Sequence, residues 1–231
     1  MVIRAVFFDA GHTLLTAHPD LGTVYAETTA RFGVRLPPSD FAEAFRPVFR
    51  AFVREYVREG DASDAQDYAM WREITRRIHA RLEPLREVPF EAWFEALYRR
   101  FGAPEVWRLY DDAVPTLREL RARGLRLGIV SNWDTRLRRI AEGHGLDRLV
   151  DFLVISAEAG ARKPDPRIFR EALARAGVAA AEALHVGDLA DEDVEGALAA
   201  GLRAVLLDRE GTAAADGIPT IRSLAELPRL V

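Results

Sequence analysis

Cysteine is absent from this chain of 231 residues. Its absence excludes disulfide scaffolds, thiolate metal sites and a cysteine nucleophile. Lysine and asparagine are almost absent too, because Lys163 is the one lysine among 32 basic residues and Asn132 is the one asparagine. Arginine therefore carries nearly all of the positive charge, and the position that keeps a compact ammonium group is a candidate for a specific role.

Long apolar runs are also absent, and none approaches the ~18 residues that a membrane-spanning helix needs. The apolar run at residues 2–8 contains Arg4 and is followed by Asp9, which is not the pattern of a secretion signal. The net charge is −4, and like charges do not form runs. We therefore expect no membrane partner, no nucleic-acid partner and a cytoplasmic location.

Hydrophobic residues make up 49% of the chain and charged residues 29%, which is typical of a folded globular protein. At this length, one large domain or one domain with an insertion is expected.

Short apolar runs alternate with amphipathic stretches in the second half of the chain. Together with the amino-terminal run at 2–8, the apolar runs predict strands at 125–130, 152–155, 183–186 and 204–207, with helices at 114–123, 135–142, 166–176 and 191–200. Gly124, Gly177 and Gly201 each separate a helical stretch from a strand, as helix-ending glycines do. The alternation predicts an α/β fold, a Rossmann-like doubly wound parallel sheet with helices on both faces.

Residues 17–103 follow a different pattern, with apolar residues at helical spacing and no run typical of a strand. Phe41, Phe45, Val48 and Phe52 form one such stripe. We predict an all-helical insertion at 17–103 and a discontinuous core made of residues 1–16 and 104–231.

Polar residues of particular types follow four of the predicted strands. They are Asp9 and Gly11 after the first strand, Ser131 and Asn132 after the second, Lys163 after the third, and Asp188 and Asp193 after the fourth. Ligands of a doubly wound sheet bind beyond the carboxyl ends of its strands, so we expect these residues to line one cleft.

The four motifs, in this order and spacing, resemble those of the haloacid dehalogenase-like hydrolase superfamily, whose members are mostly phosphatases. The helical insertion also lies where that superfamily places its cap domain. The resemblance implies that Asp9 is the nucleophile that forms an aspartyl-phosphate, and that Ser131 and Asn132 bind the phosphoryl group. Lys163 is expected to neutralise the charge of the phosphate and of the nucleophile.

A magnesium site is expected in the same cleft. Asp188 and Asp193 have the spacing Gly-Asp-x-x-x-x-Asp, and with Asp9 they would bring three carboxylates together. Such a group repels without a cation, and its hard oxygen atoms suit Mg²⁺. The resemblance adds the backbone carbonyl of Gly11 as a ligand, while a neighbouring acidic residue could take the place of Asp193.

Gly11 departs from the pattern of the phosphatases in this superfamily, which carry a second Asp here as general acid and base. A positioned proton-transfer group contributes about 10²–10⁴-fold in rate. We hypothesise that His12 or a residue of the insertion supplies part of this role. Two alternatives stay open: a 2-haloacid dehalogenase-type hydrolase, which usually has Tyr at this position and needs no metal, and a weakened hydrolase fold that binds without turnover.

The sequence thus predicts a Mg²⁺-dependent phosphatase of a small phosphorylated metabolite, with Asp9, Ser131 and Lys163 as catalytic residues. The side chains that select the substrate are expected in the insertion. A monomer and a homodimer are both compatible with the sequence.

Overall fold

The structure is a computed structural model that describes residues 2–56, 61–211 and 217–231, with backbone alone at 53–56. Its strands are β1 (Ala5–Phe8), β2 (Leu15–Ala17), β3 (Trp107–Leu109), β4 (Arg126–Ser131), β5 (Phe152–Ile155), β6 (Ala183–Gly187), β7 (Arg203–Leu207) and β8 (Thr220–Ile221). Its α-helices are α1 (Leu21–Ala30), α2 (Pro38–Tyr56), α3 (Asp64–Arg81), α4 (Phe90–Phe101), α5 (Ala113–Ala122), α6 (Arg136–Gly143), α7 (Ser156–Ala159), α8 (Pro166–Ala176) and α9 (Gly196–Ala199).

Six strands form one parallel sheet in the order β5-β4-β1-β6-β7-β8. All four residues of the central strand β1 are buried, which explains why that strand is a continuous apolar run rather than an alternating one. Phe7 of β1 belongs to the same buried cluster as Ile168 and Phe169 of α8. Helices flank the sheet, and the predicted Rossmann-like α/β fold is confirmed.

The ends of the helices follow from local chemistry. Asp165 caps α8 by accepting a hydrogen bond from the backbone N–H of Arg167 at 2.8 Å, and Pro166 begins the helix. Gly177 ends α8 with φ at 68°, a left-handed conformation that costs glycine little. The capping residue Asp165 lies in the loop before α8, two residues after Lys163.

The chain divides into two compact units. The first comprises the described parts of Met1–Thr16, Glu59–Ser63 and Leu109–Val231. The second comprises the described parts of Ala17–Arg58 and Asp64–Arg108. The predicted division into a core and a helical insertion at 17–103 stays a prediction. In the structure, residues 104–108 belong to the second unit, and the described residues 61–63 belong to the first.

The second unit contains α1 to α4 around an aromatic core. Trp93 of α4 is fully buried, and its indole N–H donates a hydrogen bond to the Thr29 hydroxyl of α1 at 2.9 Å. Tyr25 lies beside it, with the two ring centres 6.0 Å apart. Phe41 and Val48 of α2 belong to the same buried cluster, as their helical spacing predicts. No helix in the described ranges is long and apolar enough to cross a membrane.

Three details of the structure differ from the sequence-based expectations. β2 and β3 pair into a separate two-stranded sheet that was not predicted, because three residues carry too little pattern to identify a strand. The first strand begins at Ala5 rather than Val2, which is 79% exposed. The helix expected at 191–200 is instead a wide π-helical turn, Ala190–Glu195, followed by the single turn of α9.

Candidate active site

Asp9 directly follows the central strand of the sheet. Its backbone N–H donates to the carbonyl of Val186 at 3.0 Å, which extends the pairing of β1 with β6 by one residue. Ser131 ends the neighbouring strand β4, and Asp188 follows β6 directly. Because all these strands are parallel, their carboxyl ends lie at one edge of the sheet, and the side chains that follow them lie close together.

The two oxygens of the Asp9 carboxylate have different surroundings. Oδ1 accepts a hydrogen bond from the Ser131 hydroxyl at 2.9 Å and another from the Lys163 ammonium at 2.6 Å. In the part of the chain that the structure describes, Oδ2 accepts none. The carboxylate is therefore held through one oxygen and leaves the other free to contact a ligand.

Lys163 is the cation of this site, and its side chain is 1% exposed. Its ammonium donates to Asp9 and also to Oδ1 of Asp193. Burial alone would lower the pKa of Lys163, but the negative charges of Asp193 and Asp9 outweigh burial and raise it above its ordinary value. The lysine is therefore held as a buried cation between two carboxylates.

Burial raises the pKa of Asp9, and the charge of Asp193 adds to this effect while Lys163 opposes it. The site therefore concentrates negative charge around one ammonium. Positive charge brought by a ligand or a metal ion would favour the ionised form of Asp9.

Asn132 holds the backbone of Lys163. Its side-chain carbonyl accepts from the N–H of Lys163 at 2.7 Å, and its amide N–H group donates to the carbonyl of Lys163 at 2.9 Å. The same amide nitrogen lies 2.6 Å from Oε2 of Glu192. The structure thus uses Asn132 to position Lys163, and a direct contact of Asn132 with phosphate stays a prediction.

Asp193 is enclosed by protein donors on both of its oxygens. Oδ1 accepts a hydrogen bond from the Lys163 ammonium and lies 2.8 Å from Nε2 of His185. Oδ2 accepts from the backbone N–H of Leu189 at 3.0 Å. A Cβ added at Gly187 would lie 2.1 Å from Cγ of Asp193, so this approach requires glycine. Asp193 therefore anchors the lysine, and its predicted role as a metal ligand stays a prediction.

His185 makes a hydrogen bond that the sequence analysis did not predict. Its side chain is completely buried, and burial lowers its pKa, so the ring is neutral and donates from Nε2 to Asp193. Only its spacing could have indicated this, because it lies two residues before Gly187, in the motif that carries the acidic residues.

Asp188 is half-buried and receives no hydrogen bond from another residue in the described ranges. Burial and then the charges of Asp9 and Asp193 raise the pKa of Asp188 to about 8. The carboxylates of Asp188, Asp9 and Asp193 provide oxygen atoms and an excess of negative charge, and such groups suit Mg²⁺. Among the described residues, no three His, Asp or Glu side chains form a cluster arranged to hold a metal ion.

Gly11 lies in the tight loop after β1. Its carbonyl accepts from the backbone N–H of Thr13 at 2.6 Å, and a Cβ added at Gly11 would meet only the ring of Trp133, at 3.5 Å. The neighbouring His12 has φ at 53°, in the left-handed region. The position of the missing second Asp is thus open to a side chain.

The second unit contains a cavity of about 500 Å³ with none of these residues in its walls. Its lining includes His18, Arg31, Arg99, Arg100 and Glu105. The cavity and the carboxylate cluster are therefore separate features of the molecule.

Comparison with known proteins agrees with this geometry. The family model described as haloacid dehalogenase-like hydrolase matches residues 3–201. The human haloacid dehalogenase-like hydrolase domain-containing protein 3 is 37% identical over 207 residues, which is 89% of this chain and 82% of the relative. Phosphoserine phosphatase of Thermus thermophilus is 43% identical over 141 residues, which is 54% of this chain and 55% of the relative.

A crystal structure described as a HAD phosphatase from Thermococcus onnurineus superposes with a TM-score of 0.67 at 28% identity. The match covers 99% of this chain and 97% of that chain. With the family model matching most of the sequence and a buried Asp9 held by Ser131 and Lys163, the chain belongs to the haloacid dehalogenase-like hydrolases.

Proposed function

We propose that this hydrolase is a Mg²⁺-dependent phosphatase that acts on a small phosphorylated metabolite through an aspartyl-phosphate at Asp9. The observation that carries the proposal is the asymmetric anchoring of the Asp9 carboxylate. Oδ1 is held by Ser131 and Lys163, whereas Oδ2 is free within the described residues to attack phosphorus. A carboxylate fixed in this way loses little further freedom when it reacts.

Charge balance explains the roles of the neighbouring residues. A phosphate monoester brings negative charge next to a carboxylate, and the reaction needs that charge to be neutralised. The Lys163 ammonium, which already contacts Asp9, supplies one positive charge at a fixed place. The Ser131 hydroxyl can rotate its donor from Asp9 to a phosphoryl oxygen.

Asp9, Asp188 and the carbonyl of Gly11 are the groups that we expect to hold the metal first. Asp193, also predicted as a ligand, already accepts hydrogen bonds from the protein on both oxygens. When bound, Mg²⁺ neutralises negative charge on the phosphate and on the carboxylates. Mg²⁺ is commonly held by one or two carboxylates together with water and substrate, so this donor set suffices. The raised pKa of Asp188 fits a group that needs a nearby cation to ionise fully.

The glycine at position 11 shapes the choice of substrate. Without an Asp there, no carboxyl group at this position protonates the leaving group. One positioned acid contributes about 10²–10⁴-fold to the rate. Acyl and phenolic phosphates need less protonation than alkyl phosphates and should be the better substrates. The relative from Thermus thermophilus is named a phosphoserine phosphatase, and phosphoserine is an alkyl phosphate. A comparison of alkyl with acyl phosphates as substrates of this chain is therefore informative.

Phosphate and halide release should be measured side by side, from alkyl phosphates, acyl phosphates, phenolic phosphates and 2-haloacids, with Mg²⁺ and with chelator. We expect Mg²⁺-dependent phosphate release and no halide release. The Asp9→Asn variant should lose at least about 10³-fold in kcat because the amide is a poor nucleophile. The matched control is Asp147→Asn, an exposed carboxylate outside the site, which should keep full activity.

Other outcomes would contradict the proposal. Metal-independent halide release would identify a 2-haloacid dehalogenase. Activity that survives in Asp9→Asn would rule out the covalent intermediate. Bound Mg²⁺ without turnover of any compound in the panel would favour a binding protein on a hydrolase fold.

A further inference from the structure

The loop that follows β1 is held in an unusual conformation. His12 is the non-glycine residue with positive φ among those described, at 53°. The backbone N–H of His12 donates to the carbonyl of Leu15 at 2.7 Å. The backbone N–H groups of Leu14 and Leu15 donate to the carbonyl of Ala10 at 2.9 and 2.8 Å. Left-handed backbone is unfavourable for most residues that carry a Cβ, so the surroundings must stabilise this turn.

Arg209, two residues after β7, supplies that stabilisation. Its guanidinium donates to the carbonyl of Thr13 at 2.8 Å and, from Nε, to the carbonyl of His12 at 3.3 Å. The contact joins residues 197 positions apart in the sequence. The backbone N–H of Tyr110 holds the same loop through the carbonyl of Leu14, at 3.0 Å.

The guanidinium is itself fixed from the other side. Both oxygens of Asp112 accept from Arg209, each at 2.9 Å, and the ring centre of Tyr110 lies 3.8 Å from the guanidinium carbon. Asp112 also accepts from the Ser223 hydroxyl at 2.7 Å and the Leu224 N–H at 2.9 Å. Burial would raise the pKa of Asp112, but these hydrogen bonds, with Arg209 foremost, bring it below its ordinary value.

We propose that Arg209 is a positioning residue, which sets the conformation of the loop after β1 and thereby the placement of Asp9 and of the Gly11 carbonyl. Arg209 acts through the backbone of His12 and Thr13 rather than by touching substrate. These contacts require arginine, because its guanidinium carries five N–H donors in one plane. Two of them bind the carboxylate of Asp112, and two others bind the backbone carbonyls of His12 and Thr13. Its kinetic consequence depends on the proposed function, whereas its effect on the loop does not.

The effect on the loop is tested by amide hydrogen exchange in the full chain. In Arg209→Ala and Arg209→Lys, the amides of His12, Leu14 and Leu15 should exchange at least about tenfold faster than in the wild type. The amide of Asp9, which donates to Val186, should keep its protection and report that the sheet is intact. Arg209→Lys keeps the charge and serves as the second variant if the alanine variant fails to fold.

The matched control is Arg123→Ala, which removes an arginine that also donates to a carboxylate and a backbone carbonyl, those of Glu119 and Pro228. Its exchange rates at His12, Leu14 and Leu15 should equal those of the wild type. Unchanged exchange in both Arg209 variants would overturn the proposal. Equal acceleration in Arg123→Ala would also overturn it, because a general loss of stability would then explain the result.

Kinetics separate positioning from simple stabilisation. With a phosphate ester as substrate, the Arg209 variants should lose about 10²-fold in kcat with KM changed less than about threefold, because the displaced loop misplaces reacting groups. Full kcat together with faster loop exchange would contradict the positioning role. If the wild type releases no phosphate from any ester, the proposed function fails, but the exchange experiment still decides what Arg209 does to the loop.

Discussion

At the scale of single residues, the site is organised around the oxygens of two carboxylates. Lys163 bridges Asp9 and Asp193, and Asp193 is in turn held by His185 and Leu189. Each oxygen thus has a defined role, and the one left free on Asp9 is where we place the chemistry.

Gly11 offers the sharpest single-residue prediction. Because a Cβ there would contact only the ring of Trp133 at 3.5 Å, Gly11→Asp should be accommodated. An added acid should raise kcat for alkyl phosphates by about 10²–10⁴-fold and for acyl phosphates much less. The measurement is kcat across leaving groups of different pKa.

Gly11→Asn is the matched control, because it has the same shape but cannot donate or accept the proton of an acid. Equal rate increases in both variants would show that the side chain acts by packing. Unchanged alkyl phosphate hydrolysis in Gly11→Asp would mean that the missing acid does not limit the reaction.

At the scale of elements, loops and helix ends position the site. Asn132, in the segment after β4, brackets the backbone of Lys163 with two hydrogen bonds, and Asp165 caps the helix that begins just after it. Asp193 lies in the π-helical turn Ala190–Glu195, which departs from regular α geometry at the point where the carboxylate meets the lysine. The site thus depends on irregular segments between regular ones.

The cap of α8 gives a stability prediction. Asp165→Ala should lower the free energy of unfolding by about 1 kcal/mol, because the N–H of Arg167 loses its partner. Asp165→Asn should lose less, since asparagine also caps helices. Chemical denaturation at neutral pH measures both, and equal losses in the two variants would contradict the capping explanation.

The same residue predicts a dependence on pH. The hydrogen bond from Arg167 lowers the pKa of Asp165 below its ordinary value of 3.8. The charged cap therefore contributes its stability above pH 3.8 and loses it as the pH falls through the lower folded value. The difference in unfolding free energy between wild type and Asp165→Asn should shrink over that acidic range.

At the scale of the whole molecule, metal binding and folding are linked. If Asp188 holds Mg²⁺ in the folded state alone, Mg²⁺ at 100 times its Kd should stabilise the protein by about 2.7 kcal/mol. Thermal unfolding with Mg²⁺ or with chelator measures this as a shift in Tm. Asp188→Asn should abolish the shift and Asp147→Asn should keep it, whereas an equal shift in all three proteins would contradict the assigned ligand.

The chain also divides into two units with different construction. The sheet unit contains Asp9, Ser131, Lys163 and Asp193, and the helical unit has its own aromatic core around Trp93. The sequence predicts an insertion from a change in apolar spacing, because strands and helices repeat their apolar residues at different spacings. It could not show which unit residues 104–108 join, since that depends on contacts rather than on pattern.

The sequence by itself determined the α/β fold, the parallel strands and the residue types that follow each strand. These features are local: a buried strand needs a short apolar run, and a helix end needs glycine or a capping residue. We could predict which side chains converge, because the carboxyl ends of parallel strands lie at one edge of the sheet. The lone lysine could therefore be placed beside Asp9 although 154 positions separate them.

Only the tertiary structure decided what each side chain touches. Asn132 was expected to bind phosphate, and it holds the backbone of Lys163. The contact of His185 with Asp193 and that of Arg209 with the loop after β1 were not predicted. These contacts join residues that are far apart in the sequence, and hydrogen bonds require atoms within about 3 Å in the right direction. Strand register and loop conformation set such distances, and neither is written in the local pattern of residues.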